Sequence, residues 1–263
     1  MNAVSRSTVQ TGRRLGREGD AGASAGLQEA PLLEVQVSRY AYPGGQPVLQ
    51  QLDLKLFPGS IVGLMGPNGC GKSTALLLLA GELHAPSVTR SSALREEEIA
   101  LVVQDYRSSL FAWKSALANL VLPLRLRREN RRLIEQRAAA LAAELDLPSD
   151  LTRHPRQLSG GEQQKLCVVR ALLERPRLLL LDESFSAMDY KSRLLFIQRL
   201  RLHLRESDTA ALLVSHSAEE TFLFCDRLLL MKASGVISHE IPDCQSKATY
   251  VANLERVHAH FLA

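Results

Sequence analysis

Gly66-Pro67-Asn68-Gly69-Cys70-Gly71-Lys72-Ser73-Thr74 sets glycines, one lysine and two hydroxyls in a single short run. Glycines let backbone N–H groups face phosphate oxygens, Lys72 reaches the terminal phosphates, and the Ser73 hydroxyl suits Mg²⁺. Further on, Leu178-Leu179-Leu180-Leu181 runs into Asp182-Glu183. A buried strand that ends in two carboxylates brings them to the sheet edge where ligands bind. There Asp182 suits Mg²⁺ through water, and Glu183 is free to polarise an attacking water as general base. A strand-end acidic pair alone is weak, because helix caps look similar; the glycine-rich loop upstream gives it weight. Between the two lies Leu158-Ser159-Gly160-Gly161-Glu162-Gln163-Gln164. Ser159, Gly160 and Gly161 open a polar helix and present a hydroxyl and N–H groups at its N-terminus, a second phosphate half-site. Two half-sites in one chain point to an enzyme that works only when paired.

The elements needed to hold these groups are legible in the apolar pattern. Ile61-Val62-Gly63-Leu64-Met65 is a continuous apolar run entering the glycine-rich turn, as a buried parallel strand does. Thr74 to Leu83 follows as an apolar helix. Ile99 to Val103, Leu178 to Leu181 and Leu212 to Val214 are further short buried strands, each alternating with helical stretches, so the pattern reads βαβ with a parallel sheet. Val35 and Val37 alternate with polar residues, which suits an edge strand. Residues 105–157 break the rhythm and read as a helical insertion. Leu133, Ile134, Ala138, Leu141, Ala142 and Leu145 fall at helical spacing on one face. The basic run Arg125, Arg127, Arg128, Arg131 and Arg132 reads as a solvated face, with the inner membrane surface as the competing contact. Residues 1–30, poor in large apolar side chains, predict a disordered tail. The ordered domain is expected over 31–245, and 246–263 is left as a C-terminal tail.

Composition narrows the class. With 263 residues and a net charge of +4, the chain is long enough for one large domain and too weakly basic to imply nucleic-acid binding. No apolar run approaches the ~18–20 residues of a membrane span, and the N-terminal residues lack the apolar core of a signal peptide. Cys70, Cys167, Cys225 and Cys244 form no CxxC pair, which argues against a zinc site or disulfide framework. A soluble cytosolic protein is expected.

The glycine-rich loop, the Ser159-Gly160-Gly161 turn and the Asp182-Glu183 strand, in that order, resemble the ATP-binding subunit of an ABC transporter. The likeness covers about Leu32 to Ile241. It implies an α/β fold: a P-loop NTPase parallel-sheet core with an inserted helical subdomain and a small antiparallel β subdomain. It implies ATP and Mg²⁺ as cofactors, with Gly66 to Thr74, Ser159, Gly160 and Gly161 on the nucleotide. Tyr42 resembles the aromatic that stacks on adenine, with Tyr40 a competitor two residues away. Gln104 resembles a glutamine that senses Mg²⁺ and water, and His216 a histidine that contacts the γ-phosphate. Ser186 to Asp189 resembles a loop that crosses a dimer interface. Implied partners are an identical or paired ATPase subunit, an integral membrane permease and, indirectly, a periplasmic or extracellular solute-binding protein. The implied location is the cytoplasmic face of the cell membrane.

This chain departs from that pattern at several positions. Ser184 replaces a Pro, which predicts a less rigid turn; Ser215-His216-Ser217 replaces Thr-His-Asp; Glu162 and Lys165 vary the signature helix. The stretch from Lys72 to Gln104 is short, which suggests a trimmed antiparallel subdomain. None of these removes a catalytic group, so an active ATPase is expected. Gln104-Asp105-Tyr106, Leu110-Phe111-Ala112-Trp113 and Asn119 to Leu124 resemble importer ATPases for nitrate, sulfonates and taurine, with Ala112 as a deviation. Trp113 reads either as an anchor for the permease or as a residue packed within the helical insertion. A soluble ABC ATPase and an exporter ATPase remain as alternatives.

Overall fold

A computed structural model describes residues 30–127, 130–246 and 248–262. The tail expected over 1–30 lies outside these residues apart from its last position, and so does Arg128.

The leucine run forms β6 (Leu178–Asp182), buried along its whole length. It sits between β5 (Ile99–Val102) and β7 (Ala210–Val214). With β3 (Ile61–Met65), β8 (Arg227–Met231) and β9 (Ile237–Ile241) they build a six-stranded sheet in the order β5-β6-β7-β3-β8-β9. All pairs are parallel except β8 with β9. A strand buried on both faces needs no polar alternation. Leu179 and Leu181 pack on one side with Leu166, Val169, Phe196 and Leu200. Leu178 and Leu180 pack on the other with Leu76 and Leu79. Burial of each such leucine is worth roughly 1.5–3 kcal/mol.

The helices covering these faces are α1 (Lys72–Ala80) on one side, and α4 (Gly160–Leu173) and α5 (Tyr190–Glu206) on the other. Helix α6 (Ala218–Phe224) sits directly on β3, because Gly63 has no side chain: a Cβ there would lie 2.4 Å from Cγ2 of Thr221.

A smaller three-stranded antiparallel sheet, ordered β2-β1-β4, joins β1 (Leu33–Ala41), β2 (Pro47–Leu56) and β4 (Val88–Ser92). Val35 and Val37 therefore lie on its central strand and not on an edge. Their alternation reports one buried and one solvated face, which a central antiparallel strand also has.

Between β5 and α4 lie α2 (Ala116–Leu126) and α3 (Arg131–Glu144). Ile134, Ala138, Leu141, Ala142 and Leu145 of the expected face are buried, whereas Leu133, one residue from Ile134 and so about 100° round the helix, is exposed. Buried Asn119 on α2 ties down the preceding loop: Oδ1 accepts from the amide of Phe111, and Nδ2 donates to the carbonyls of Phe111, Lys114 and Ser115. Residues 246–263, assigned no element from sequence, carry α7 (Tyr250–Leu262), with Val257 buried against Phe222, Leu228 and Ile241.

Parallel strands bring the loops after β3, β5, β6 and β7 to one edge of the large sheet. That edge holds Gly66, Gln104, Glu183 and His216.

Candidate active site

The loop from Gly66 to Ser73 folds back over the start of α1. Gly71, at φ 102°, precedes the helix without any side-chain cap, so the first amides of α1 are left for a ligand. A larger residue at Gly71 would have to displace Leu49, because a Cβ would stand 2.5 Å from Leu49 Cδ2. Gly69 is also left-handed, at φ 80°, but faces open space. Gly66 is confined by the Met231 carbonyl, 2.7 Å from where a Cβ would sit. The Lys72 ammonium, buried under the loop, donates to the carbonyls of Gly66 (2.9 Å) and Pro67 (3.0 Å). Cys70 turns its thiol into the core, and burial pushes its pKa up.

Beside this loop lies an open cavity of about 570 Å³, lined by Asn68, Gly69, Gly71, Lys72, Ser73, Thr74, Gln104, Glu183 and His216. Asp182, the neighbour of Glu183 at the end of β6, is buried and hydrogen-bonded with Ser73. Burial raises its pKa, the bond from Ser73 opposes this, and the Glu183 charge adds to it. The Ser73 hydroxyl and the Asp182 carboxylate, with the Gln104 side-chain amide on the same cavity, form an oxygen set that fits a hard cation such as Mg²⁺ and leaves Glu183 outside it. The cation's charge would relieve the repulsion between Asp182 and Glu183.

Glu183 is the pivot of the site. One of its oxygens accepts from Gln104 Nε2 at 2.9 Å, and the other lies 3.4 Å from His216 Nδ1. Its backbone is left-handed, φ 47°, a conformation that costs a non-glycine residue about 1–2 kcal/mol. Strain of this kind persists only where the surroundings over-determine the turn. The Glu183 amide donates to the Val214 carbonyl at 2.9 Å. Ser184, in place of the expected Pro, is buried and donates to the Asp182 carbonyl, so hydrogen bonding braces the turn that sequence predicted to be looser. Gln164 on α4 completes the brace: Nε2 donates to Ser186 Oγ and the Glu183 carbonyl, and Oε1 accepts from the Ala187 amide. Sequence reasoning passed over Gln164, although its place on the buried side of the signature helix was a usable signal.

The Ser159 turn lines no part of this cavity. Ser159 caps α4, with Oγ accepting from the Glu162 amide (3.2 Å) and the Glu162 carboxylate accepting from the Ser159 amide (2.6 Å). This reciprocal box uses the residue that looked like mere variation, and it leaves the serine's O–H and the Gly160 and Gly161 amides outside it. Gly161 packs tightly on the backbone of Met188, where a Cβ would come within 3.1 Å of Cα. Asp189 caps α5 by accepting from the Ser192 amide at 3.0 Å and, like Ser159, stands apart from the cavity.

Of the two tyrosines, Tyr40 is buried and Tyr42 exposed, with its hydroxyl 3.2 Å from Thr74 Oγ1. A register shift between Tyr40 and Ala41 breaks the strand alternation that made them equivalent on paper.

A family model described as ABC transporter matches residues 49–186. The spermidine/putrescine import ATP-binding protein PotA of Haemophilus influenzae is 32% identical over 82% of this chain and 59% of its own length. The putative 2-aminoethylphosphonate import ATP-binding protein PhnT of Salmonella paratyphi A is 32% identical over 85% of this chain and 61% of its own length. The aliphatic sulfonates import ATP-binding protein SsuB of Burkholderia pseudomallei is 34% identical over 92% and 73%. The chain thus spans only 59% and 61% of the first two relatives. Among solved structures, the dimeric bacterial ABC transporter cassette MJ0796 superposes with a TM-score of 0.71 at 25% identity, covering 81% of this chain and 99% of that one. For cbiO1 of Clostridium perfringens the TM-score is 0.74 at 19% identity, over 88% and 96%, a likeness of fold alone.

Proposed function

This chain belongs to the ABC transporter family of ATP-binding domains, and from that membership we propose that it hydrolyses ATP to drive an importer of a small solute. The observation that carries the proposal is the Glu183 carboxylate, held between Gln104 and His216 at the mouth of the phosphate-loop cavity. In that position Glu183 takes a proton from an attacking water, Gln104 orients that water, and His216 meets the terminal phosphate. The α1 amides and Lys72 hold the phosphates, while Tyr42, beside Thr74, stacks on the base. Bound Mg²⁺, held by Ser73 and Asp182 with Gln104 nearby, supplies charge neutralisation on the phosphate oxygens.

Two copies meet head to tail in this reading, or one copy meets a related ATPase subunit. Each phosphate loop then faces the Ser159-Gly160-Gly161 turn of the other copy, and Asp189 lies at the seam. The dimeric state described for MJ0796 supports the arrangement. Hydrolysis splits the charge that holds the copies together, which is the differential affinity a mechanical cycle requires.

Among the described residues no helix is long and apolar enough to cross a membrane, so the attachment we propose is peripheral, on the cytoplasmic face, through an integral permease. A solute-binding protein on the far side completes the importer. Trp113 is 73% exposed and stacks edge-on against Phe111 at 5.3 Å. This favours the permease-anchor reading over packing within the insertion. For the solute we propose a small anion of the sulfonate, nitrate or taurine class. Support comes from the 110–124 neighbourhood and from the sulfonate relative, which matches over the greatest share of this chain among the three described.

Phosphate release by the purified chain, with and without Mg²⁺, tests the hydrolytic reading. Recovery with an integral membrane protein tests the importer reading; a purely soluble partner would overturn it.

A further inference from the structure

Glu220 on α6 is a charged residue with 5% of its surface exposed. A carboxylate so far out of water persists only with strong partners. Its Oε2 accepts from Ser215 Oγ at 2.8 Å, and its Oε1 pairs with Arg193 Nη1 at 3.1 Å. Ser215 is itself buried, and its Oγ also accepts from the Ser217 amide at 3.0 Å. The residues on both sides of His216 are thereby pinned while the His216 side chain stays 61% exposed toward the cavity mouth.

The other end of the link reaches the segment before α5. Arg193 donates its amide to the Asp189 carbonyl at 2.9 Å, inside the first turn that Asp189 caps. The residues just before that cap, Ala187 and Met188, pack on Gly160 and Gly161. Glu220 has little freedom to yield, since α6 is seated on β3 through the Gly63–Thr221 contact. A shift of the 186–189 segment therefore either carries the His216 loop with it or leaves a buried carboxylate unpaired.

We propose that Glu220 is a positioning residue for His216, and that the Arg193–Glu220–Ser215 link couples the signature-turn contact to that histidine. The proposal rests on the reading of His216 given above. In this chain no carboxylate follows His216 directly, since Ser217 stands there and caps α6; Glu220 supplies one from behind.

The test is steady-state ATP hydrolysis by the full chain. Glu220→Gln keeps the volume and an acceptor for Ser215 but removes the charge that holds Arg193. It should lower kcat about tenfold and leave KM within about twofold, and Arg193→Met should match it. In a His216→Ala background, Glu220→Gln should cost nothing further, because it acts only through the histidine. Parental kcat in Glu220→Gln overturns the proposal, and so does a loss that multiplies in the double variant. If His216→Ala alone runs at the parental rate, the reading of His216 fails and takes this proposal with it. A slowed His216→Ala with a multiplying Glu220→Gln retires the positioning role alone.

Discussion

The phosphate-loop cavity and the Ser159 turn are both helix N-termini preceded by glycine or serine, yet they are finished in opposite ways. At α1 the capping position is a left-handed glycine with no side chain to satisfy the first amides. At α4 a serine and a glutamate satisfy each other across the first turn. The first arrangement is open and draws groups from four strand ends into one cavity. The second is closed upon itself and lines no part of that cavity. An amide left bare is a binding site awaiting an anion. A capped turn with two free glycine amides suits, in the reading proposed above, being pressed against one.

The largest expected effect breaks the first region alone. Glu183→Gln should lower phosphate release about 10²–10⁴-fold while nucleotide binding persists; turnover at the parental rate would remove Glu183 from the chemistry. Next, Ser159→Arg should abolish the ATP-dependent dimer, read by light scattering in the Glu183→Gln background, with nucleotide binding to the single chain unchanged. A dimer that survives the arginine would show that the turn is not the face presented to a second copy.

The two left-handed glycines sharpen the comparison within the loop. Gly71→Ala meets both strain and Leu49, and should cost about 2–4 kcal/mol in unfolding free energy. Gly69→Ala meets strain alone, and about 1–2 kcal/mol is expected. Equal losses in a denaturant titration would mean that the close approach to Leu49 is relieved at no cost. The smallest effect belongs to the capped turn: Glu162→Ala should cost about 0.5–1 kcal/mol of stability with hydrolysis slowed less than about threefold. A collapse of hydrolysis there would make the glutamate part of the phosphate site rather than of its frame.

Much of the cavity was legible because its residues are adjacent in sequence or end apolar runs. Gly66 to Thr74 is one loop, and Gln104, Glu183 and His216 each follow a short strand. The strands of the large sheet buried on both faces were readable for the same reason, as unbroken apolar stretches. The capping box was legible too, since Ser159 and Glu162 stand at the required spacing, but it was read as variation. Pairings that depend on distance in the chain were not. Gln164 with Ala187, and Glu220 with Arg193 and Ser215, join residues whose types alone announce nothing. Strand β1 went to an edge on paper because alternation reports a solvated face and is silent on the number of neighbours. The amphipathic α7 was missed in a segment without glycine or proline punctuation.

By itself the sequence determined the chemistry. Lys72, Ser73, Asp182 and Glu183 stand in local contexts, strand–turn–helix and strand end, that suit phosphate and a hard cation. Tertiary structure alone decided how that chemistry is aimed. It buried Tyr40 and left Tyr42 exposed beside Thr74, braced the strained Glu183 turn without a proline, and set the Ser159 turn outside the cavity. The reason lies in range. Backbone amides and neighbouring side chains are constrained by local geometry that spacing encodes, whereas aiming depends on hydrogen bonds and close packing between segments that meet only when the sheet is complete.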